Sequence, residues 1–513
     1  MGAFVAASAL LIGGSVAANA APFPIPEESA ITITKWSQPV EPGENATGTV
    51  ATMPTGAEPI SGVVFTDYQV PISATAGTNA WQQEIAGMDT TATLTALGGA
   101  GFPDAAATHA FPATDLNGVT TWSNAPWGLY YVVEDATNAS TSVAESTPFL
   151  IAVPMTDPDA RDAWLDHIYV YPKNSKIDAE KSVNDSGAIQ TGDNVTWTIT
   201  SDVPRIENGV ELIAAESFVI TDALDPRLTY VSAVAEVIDS AGASIVGTDQ
   251  LIAGDDYTVD GAGVSITFTT TGLVKLLTAA SNDGQRVKVT LITSVDDATP
   301  DATTGTAIKN NATVVTNDSL PNEITATTNE AQTNWGVISF TKKSAAGGDL
   351  EGATFELYSS EADSVSDTAT PLLTAQTSVA NGGVSFNGVR TSDTVNGVVL
   401  SDPADYQVYW LRETVAPADH QLLAEPIAVL LMSDGNIYTF TPDTNGQPTL
   451  DAAAPAGVTG GALLTEILNV QNATGFVLPL TGGMGTVFLT IIVLAIVGSV
   501  VFIVRRRNEE AAH

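Results

Sequence analysis

Apolar and polar residues alternate at period two along much of this chain. Val195, Trp197 and Ile199 fall on one side of a run whose other side is Thr196, Thr198 and Thr200, and Ile308, Asn310, Ala312 and Val314 share a face in the same way. Successive side chains of a strand point to opposite faces, so these runs predict strands buried on one side. Gly, Asp and Asn interrupt them at short intervals, as in antiparallel sandwiches. Helical period is confined to short stretches such as residues 271–281. The chain reads as all-β, and its punctuation separates three modules, from near Ile31 to about Tyr171, from near Lys181 to about Asn317, and from Gly336 to about Asn472.

Two segments depart from this pattern. Residues 3–18 are apolar and small, and Ala18-Asn19-Ala20 with a Pro-rich stretch follows them, which predicts a signal peptide despite the absence of Lys or Arg ahead of the apolar run. Residues 487–504 carry no charge and are closed by Arg505-Arg506-Arg507, the pattern of a minimal membrane span with a basic stop. The expected organisation is a signal peptide at 1–20, an N-terminal domain at 21–171, a middle domain at 172–330, a third domain at 331–475 and a membrane-spanning end at 476–513.

Composition narrows the function. A chain of 513 residues suits about three domains. With 58 acidic residues against 18 basic ones, a net charge of −40 excludes a phosphate backbone as partner, so no nucleic acid is expected. There is no Cys, and only four His, so disulfides, thiolate metal sites and the usual zinc or triad chemistry are excluded or poorly supplied. Asp157-Pro158-Asp159 and Asp255-Asp256 read as turns and solvated loops, and no metal or other cofactor is expected. An exported chain without disulfides needs another kind of staple.

The nine lysines suggest one. Lys342 follows Ile338 and Phe340 at period two and so points inward, as does Lys181 with Ala179 and Val183. Asn310 and Asn469 point inward near the ends of the same two modules, Asn469 sharing a face with Ile467. Glu413 shares a face with Tyr409 and Leu411, and Asp222 with Phe218 and Ile220. Desolvation lowers a lysine's pKa and raises a carboxyl's, so a neutral amine can attack the Asn amide while the acid polarises its carbonyl and ammonia leaves. The product is a Lys–Asn isopeptide bond; the alternative is a satisfied buried ion pair. Asn311 is a competing acceptor that faces the other way.

Several motifs resemble one family. Leu478-Pro479-Leu480-Thr481-Gly482, followed by the apolar span and the basic tail, resembles the LPxTG sorting signal of Gram-positive surface proteins, in which a sortase cleaves after the Thr, here Thr481, and passes its carboxyl to an amine. Tyr409-x-Leu411-x-Glu413-Thr414-x-Ala416-Pro417 is similar to the E-box of pilins, and Phe340-Thr341-Lys342 with residues 350–355 resembles the opening of CnaB-type domains. The middle module resembles the CnaA-like D2 domain of pilin shafts. Residues 164–173, WLDHIYVYPK, resemble the pilin motif WxxxVxVYPK of sortase-assembled shaft subunits, with Ile168 in place of a Val.

The resemblance implies tandem Ig-like sandwiches of CnaA and CnaB type and no enzyme. It implies bonds Lys342–Asn469 with Glu413 and Lys181–Asn310 with Asp222, and a sortase linkage from Thr481 to Lys173 of the next copy. A third bond, Lys35–Asn174 with Glu134, is weighed against a partial E-box, Tyr130-x-Val132-x-Glu134, that lacks the usual tail. Lys173 is expected in a solvated connector, where Pro172 ends a strand ladder. The implied partners are pilin-specific and housekeeping sortases, further copies of the chain, minor or tip pilins, peptidoglycan and host surface ligands. The implied location is a wall-anchored surface pilus, with a monomeric wall-anchored adhesin as the alternative.

Overall fold

The computed structural model describes residues 29–40, 46–88, 109–140, 142–146, 148–158, 163–207, 211–261, 264–317 and 323–472. The expected signal peptide, the LPLTG motif and the apolar span at 487–504 lie outside the described residues. Among the described residues no helix is long and apolar enough to cross a membrane.

In the N-terminal domain, strand Ser29–Thr34 lies between Val119–Ala125, antiparallel, and His167–Val170, parallel. A second sheet runs in the order His109–Ala110, Val64–Val70, Gly128–Asp135, Phe149–Val153. The two meet through Ile31, Ile33, Phe65, Tyr130, Val132 and Ile168, the inward residues of each alternation. Strand Gly128–Asp135 is buried on its other face too, where Leu129 and Tyr131 pack with Ile85 and Met88. A helix over Asn79–Ala86 was not legible in the alternation. Thr78 caps it by accepting from the Trp81 amide, and the ring of Trp81 is its buried anchor.

The middle domain packs a four-stranded sheet (Ala179–Asn184, Asn194–Asp202, Arg286–Val295, Leu228–Ile238) on a five-stranded one (Tyr257–Asp260, Ser265–Phe268, Ser217–Asp222, Ala312–Asn317, Glu323–Thr327). Val195, Trp197 and Ile199 are fully buried, as their alternation requires. The expected short helix spans Thr270–Ala280 and turns Leu273, Leu276 and Ala280 into this core. Asp256 corrects the solvated-loop reading: it is wholly buried, accepting from the Ile252 amide and from Lys275 at 2.6 Å. The run from Ile308 to Val314 is not one strand. It divides at Asn311 into Ala307–Asn310 and Ala312–Asn317, which join different sheets, although the four inward residues remain buried.

The third domain is organised by one 14-residue strand, Ala331–Ser344. Its first four residues pair with Ala307–Asn310, and its remainder pairs with Gly383–Arg390, antiparallel, and Glu466–Asn469, parallel. The facing sheet carries Thr354–Tyr358, Tyr409–Val415 and Ile427–Leu431 at its centre. The strand thus runs from the middle domain into the third. The junction is tight: Gly388 has φ +121°, and a Cβ there would lie 2.4 Å from the Thr191 hydroxyl oxygen. Arg390 is buried at the same junction and donates to the Ala188 carbonyl at 2.9 Å. Toward the N-terminal domain, Arg205 donates to the carbonyls of Gly56 at 2.9 Å and Ala280 at 3.1 Å.

Candidate functional site

Each domain buries one lysine, one asparagine and one acid in a single place, and none of these nine side chains is more than 4% exposed. In the first, Lys35 follows the inward Ile31 and Ile33 of its strand. Its Nζ donates to Glu134 at 2.7 Å and to the Asn174 amide oxygen, and the Asn174 amide nitrogen donates to the other Glu134 oxygen. Glu134 also accepts from Ser146, through backbone and hydroxyl. Lys35 lies 5.9 Å from the centroid of Phe65. Burial holds its amine down at about 8, against the opposing pull of Glu134.

In the middle domain Lys181 forms an ion pair with Asp222 and lies 5.3 Å from the Trp197 ring centroid. Burial lowers the lysine to about 8 and raises Asp222, each shift opposed by the partner's charge. Asn310 stands close enough to Asp222 for its amide to favour the ionised carboxyl, yet neither amide atom makes a hydrogen bond within ordinary limits. Asn311, the competing acceptor, is exposed.

In the third domain the Asn469 amide nitrogen donates to both Glu413 oxygens, at 2.8 and 2.9 Å, and to the Gln421 carbonyl at 2.8 Å. Glu413 also accepts from the Leu423 amide at 2.8 Å. Lys342 is fully buried beside them, but its Nζ donates to the Ile467 carbonyl at 2.8 Å. Burial lowers it to about 8, opposed by Glu413. The Asn469 amide oxygen has no partner.

The first and third sites share a backbone arrangement. In both, the asparagine lies on a strand parallel to the lysine's segment, in register with the residue two beyond the lysine: Asn174 opposite Ser37, and Asn469 opposite Ser344. Each site brings together the three groups that amide exchange requires, an amine held down by burial, an amide and a carboxyl, although in the first and third sites the carboxyl meets the amide nitrogen and not the carbonyl. An unreacted site leaves the asparagine's amide oxygen unsatisfied in the middle and third domains, at a cost of about 1–3 kcal/mol.

Lys173 departs from the solvated connector expected of it. The ladder of His167–Val170 stops at Tyr171-Pro172 and then resumes, with Lys173 and Asn174 paired in parallel with Trp36 and Ser37. Trp36 stacks on Tyr171, ring centroids 4.6 Å apart, and this packing leaves Lys173 half-buried. Proline removed one donor without ending the pairing, because the aromatic pair holds the two segments together on either side of it. Ser146 and Trp36 are participants that the sequence did not single out; only the adjacency of Trp36 to Lys35 could have suggested one of them. Trp122 stacks on His109 at 4.3 Å and meets Tyr130 edge-on at 5.4 Å. Leu478, Pro479, Leu480, Thr481 and Gly482 lie outside the described residues.

Comparison with known proteins gives three matches along the chain. Residues 26–175 match the Gram-positive pilin subunit D1 N-terminal domain, 172–331 the C2 terminal domain of cell surface antigen I/II, and 336–445 the SpaA prealbumin-like fold domain. Over 446 residues the chain is 27% identical to the fimbrial subunit type 1 of Actinomyces viscosus, covering 78% of this chain and 77% of that one. The full-length major pilin SpaD from Corynebacterium diphtheriae is 26% identical with a TM-score of 0.58, covering 87% of this chain and 98% of its own. The major pilin SpaA of the same organism shares the fold at 19% identity and a TM-score of 0.52, covering 86% and 100%.

Proposed function

We propose that this chain, a structural protein built of Gram-positive pilin domains, is the repeating subunit of a covalent pilus shaft, joined by a sortase between Thr481 and Lys173 of the next copy. In this reading each domain closes one internal bond: Lys35–Asn174 with Glu134, Lys181–Asn310 with Asp222, and Lys342–Asn469 with Glu413. The observation that carries it is the triple recurrence of a buried lysine, asparagine and acid at one place in three domains of otherwise different topology.

The chemistry balances within each site. The unprotonated lysine nitrogen adds to the asparagine carbonyl carbon, a new C–N bond forms, the bond to the amide nitrogen breaks, and that nitrogen leaves as ammonia after the acid has shuttled a proton to it. Burial supplies the neutral amine, since a lysine near 8 is about one-tenth unprotonated at pH 7 where one near 10.5 is almost wholly charged. Between subunits the amine of Lys173 displaces the sortase thiol from the Thr481 acyl group. The product is anchored at the cell wall of a Gram-positive bacterium, with the sortases, further copies and minor or tip pilins as partners.

The test is a gel of boiled cell-wall extract. Wild-type cells are expected to give a high-mass ladder, and Lys173→Ala a single monomer band with secretion intact. A single band from wild-type cells is the outcome expected of a wall-anchored monomeric adhesin and would overturn the shaft reading.

A further inference from the structure

In the third domain the residue preceding the bonded asparagine is Leu468, an exposed position with no assigned task, whereas in the first domain the equivalent residue is Lys173. The linkage lysine is therefore the immediate neighbour of a crosslink residue. Its segment is short: the ladder that carries it has only two residue pairs, Lys173 with Trp36 and Asn174 with Ser37. Two pairs are too few to hold a strand on their own. What else holds it is on either side. Before Lys173, Pro172 accepts from the Trp36 amide at 3.3 Å, and Tyr171 stacks on the Trp36 ring. After it, the Asn174 carbonyl accepts from the Gln38 amide at 2.8 Å, while the Asn174 side chain is tied to Lys35 and Glu134.

Building on the shaft reading, we infer that closure of the Lys35–Asn174 bond fixes Lys173 for attack, so that Lys35, Asn174 and Trp36 are positioning residues of the intersubunit joining reaction. Lys35 and Trp36 are consecutive, and so are Lys173 and Asn174, so one covalent bond and one stacked ring clamp both ends of a two-residue segment. An amine presented to an enzyme-bound acyl group reacts only from a narrow range of positions, and a displacement of about 1 Å costs on the order of a hundredfold. An open Lys35–Asn174 site leaves the stack, the ladder and exchangeable hydrogen bonds from Asn174 to Lys35 and Glu134 to resist that displacement, with no covalent tie. Newly exported chains thus become acceptors when their first domain has closed, whereas their Thr481 end serves as donor regardless.

The experiment separates the two roles. Full-length wild-type and variant copies carrying different mass tags are expressed in one pilus-forming cell, and the junction peptides are quantified by mass spectrometry. Variant Lys173 joined to wild-type Thr481 reports acceptor use; variant Thr481 joined to wild-type Lys173 reports donor use. For Glu134→Gln, with the first bond absent by mass, the acceptor-to-donor ratio is expected to fall at least about tenfold, whereas a loss of fold would lower both junctions together. Asn174→Asp keeps a carbonyl for Lys35 to attack, closing the same amide with loss of water, and is expected to restore the ratio to within about twofold of wild type. Trp36→Ala leaves the crosslink residues in place and carries the test alone if Glu134→Gln copies do not reach the surface; a similar fall is expected. A ratio unchanged within about twofold, in Glu134→Gln lacking the bond or in Trp36→Ala, overturns the positioning role. Wild-type copies yielding no Lys173–Thr481 junction would overturn the shaft reading itself, a separate result.

Discussion

In the first domain the lysine, the asparagine and the acid are all bonded to one another, while in the third the asparagine and the acid clasp each other and the lysine is held by a backbone carbonyl. The backbones do not differ in the same way, since both asparagines stand in register two residues beyond their lysine on a parallel neighbour. What separates the two arrangements is the set of side-chain partners: Ser146 on Glu134 in the first, Leu423 on Glu413 and Gln421 on Asn469 in the third. The third domain carries the full E-box and the first only a fragment of it, so the motif does not measure how completely the site is assembled. What the motif supplies is the inward acid on a strand buried among Tyr409 and Leu411; Tyr130 and Val132 do the same for Glu134 without the tail.

The largest difference between these domains should be mechanical. Tension between Lys173 and Thr481 passes the middle and third domains but enters after residues 35–172. Pulling wild-type subunits from those two points is expected to give almost no domain extension. Glu413→Ala should release the 127 residues between Lys342 and Asn469, about 430 Å of chain at full extension, and Asp222→Ala a similar length from the middle domain. Glu134→Ala should release nothing. An added unfolding event in that last variant would mean that the first domain lies in the load path after all.

Thermal stability should reverse the ranking. Loop closure across 139 residues in the first domain or 127 in the third contributes about 5 kcal/mol in either case by the chain-entropy estimate, so the bonds themselves do not discriminate. The acids do: Glu134→Ala removes a carboxylate bonded directly to buried Lys35 and leaves it only the Asn174 amide oxygen, whereas Glu413→Ala removes no direct partner of Lys342, which keeps the Ile467 carbonyl. Calorimetry of the two variants should show the first domain losing about 1–3 kcal/mol more than the third. The intact-mass deficit relative to each chain's own sequence should shrink by roughly 17 Da in each variant, from a wild-type deficit of three ammonia molecules.

The smallest effects concern rate and pH. Lys342 must leave a carbonyl before it can attack, so a time course of mass on freshly translated, still uncrosslinked chains should show the first bond closing before the third. Closure should speed up about tenfold per pH unit below 8 and level off above it, because the reactive form is the amine that burial holds near 8. In the middle domain the raised Asp222 must stay protonated to act as an acid, so its profile should fall again at high pH. Linkage has its own sign. In an Asn469→Ala variant, which cannot join, the unfolded Lys342 binds a proton that the folded one has lost between about pH 8 and 10.5, so the third domain should gain stability as pH rises through that window, measured by denaturant titration.

Much of this was legible as parity. Lys181, Lys342, Asn310, Asn469, Asp222 and Glu413 are all inward because a strand's period of two leaves them no choice, and burial follows from the apolar residues that share their face. Parity fails where pairing is made by distant segments. It could not show that Ile308 and Val314 belong to different sheets, that Lys173 resumes a ladder past Pro172, or that parallel register gives two domains the same lysine-to-asparagine offset, since each depends on partners more than a hundred residues away or in another domain. It also missed helix Asn79–Ala86, held by one buried tryptophan and a cap without a periodic stripe.

If the chain is exported as proposed, the strand Ala331–Ser344 has a consequence for the order in which its sites close. Asn310 ends a four-residue strand whose register partner is Ala331, and that strand pairs with no other. A chain emerging from its N-terminal side therefore presents the middle domain with its lysine and acid in place but with its asparagine on an unpaired edge, until residues 331–334 have followed it out. The same residues are the first turn of the alternation that carries Ile338, Phe340 and Lys342 into the third core. Export thus acts as a clock: the first bond can form as soon as residue 174 is outside, the middle one waits for the start of its neighbour, and the third waits for Asn469, only twelve residues before Thr481. Under the proposed function, by the time the proposed sorting signal reaches the membrane, every site proposed to stiffen the subunit has already had its chance to close.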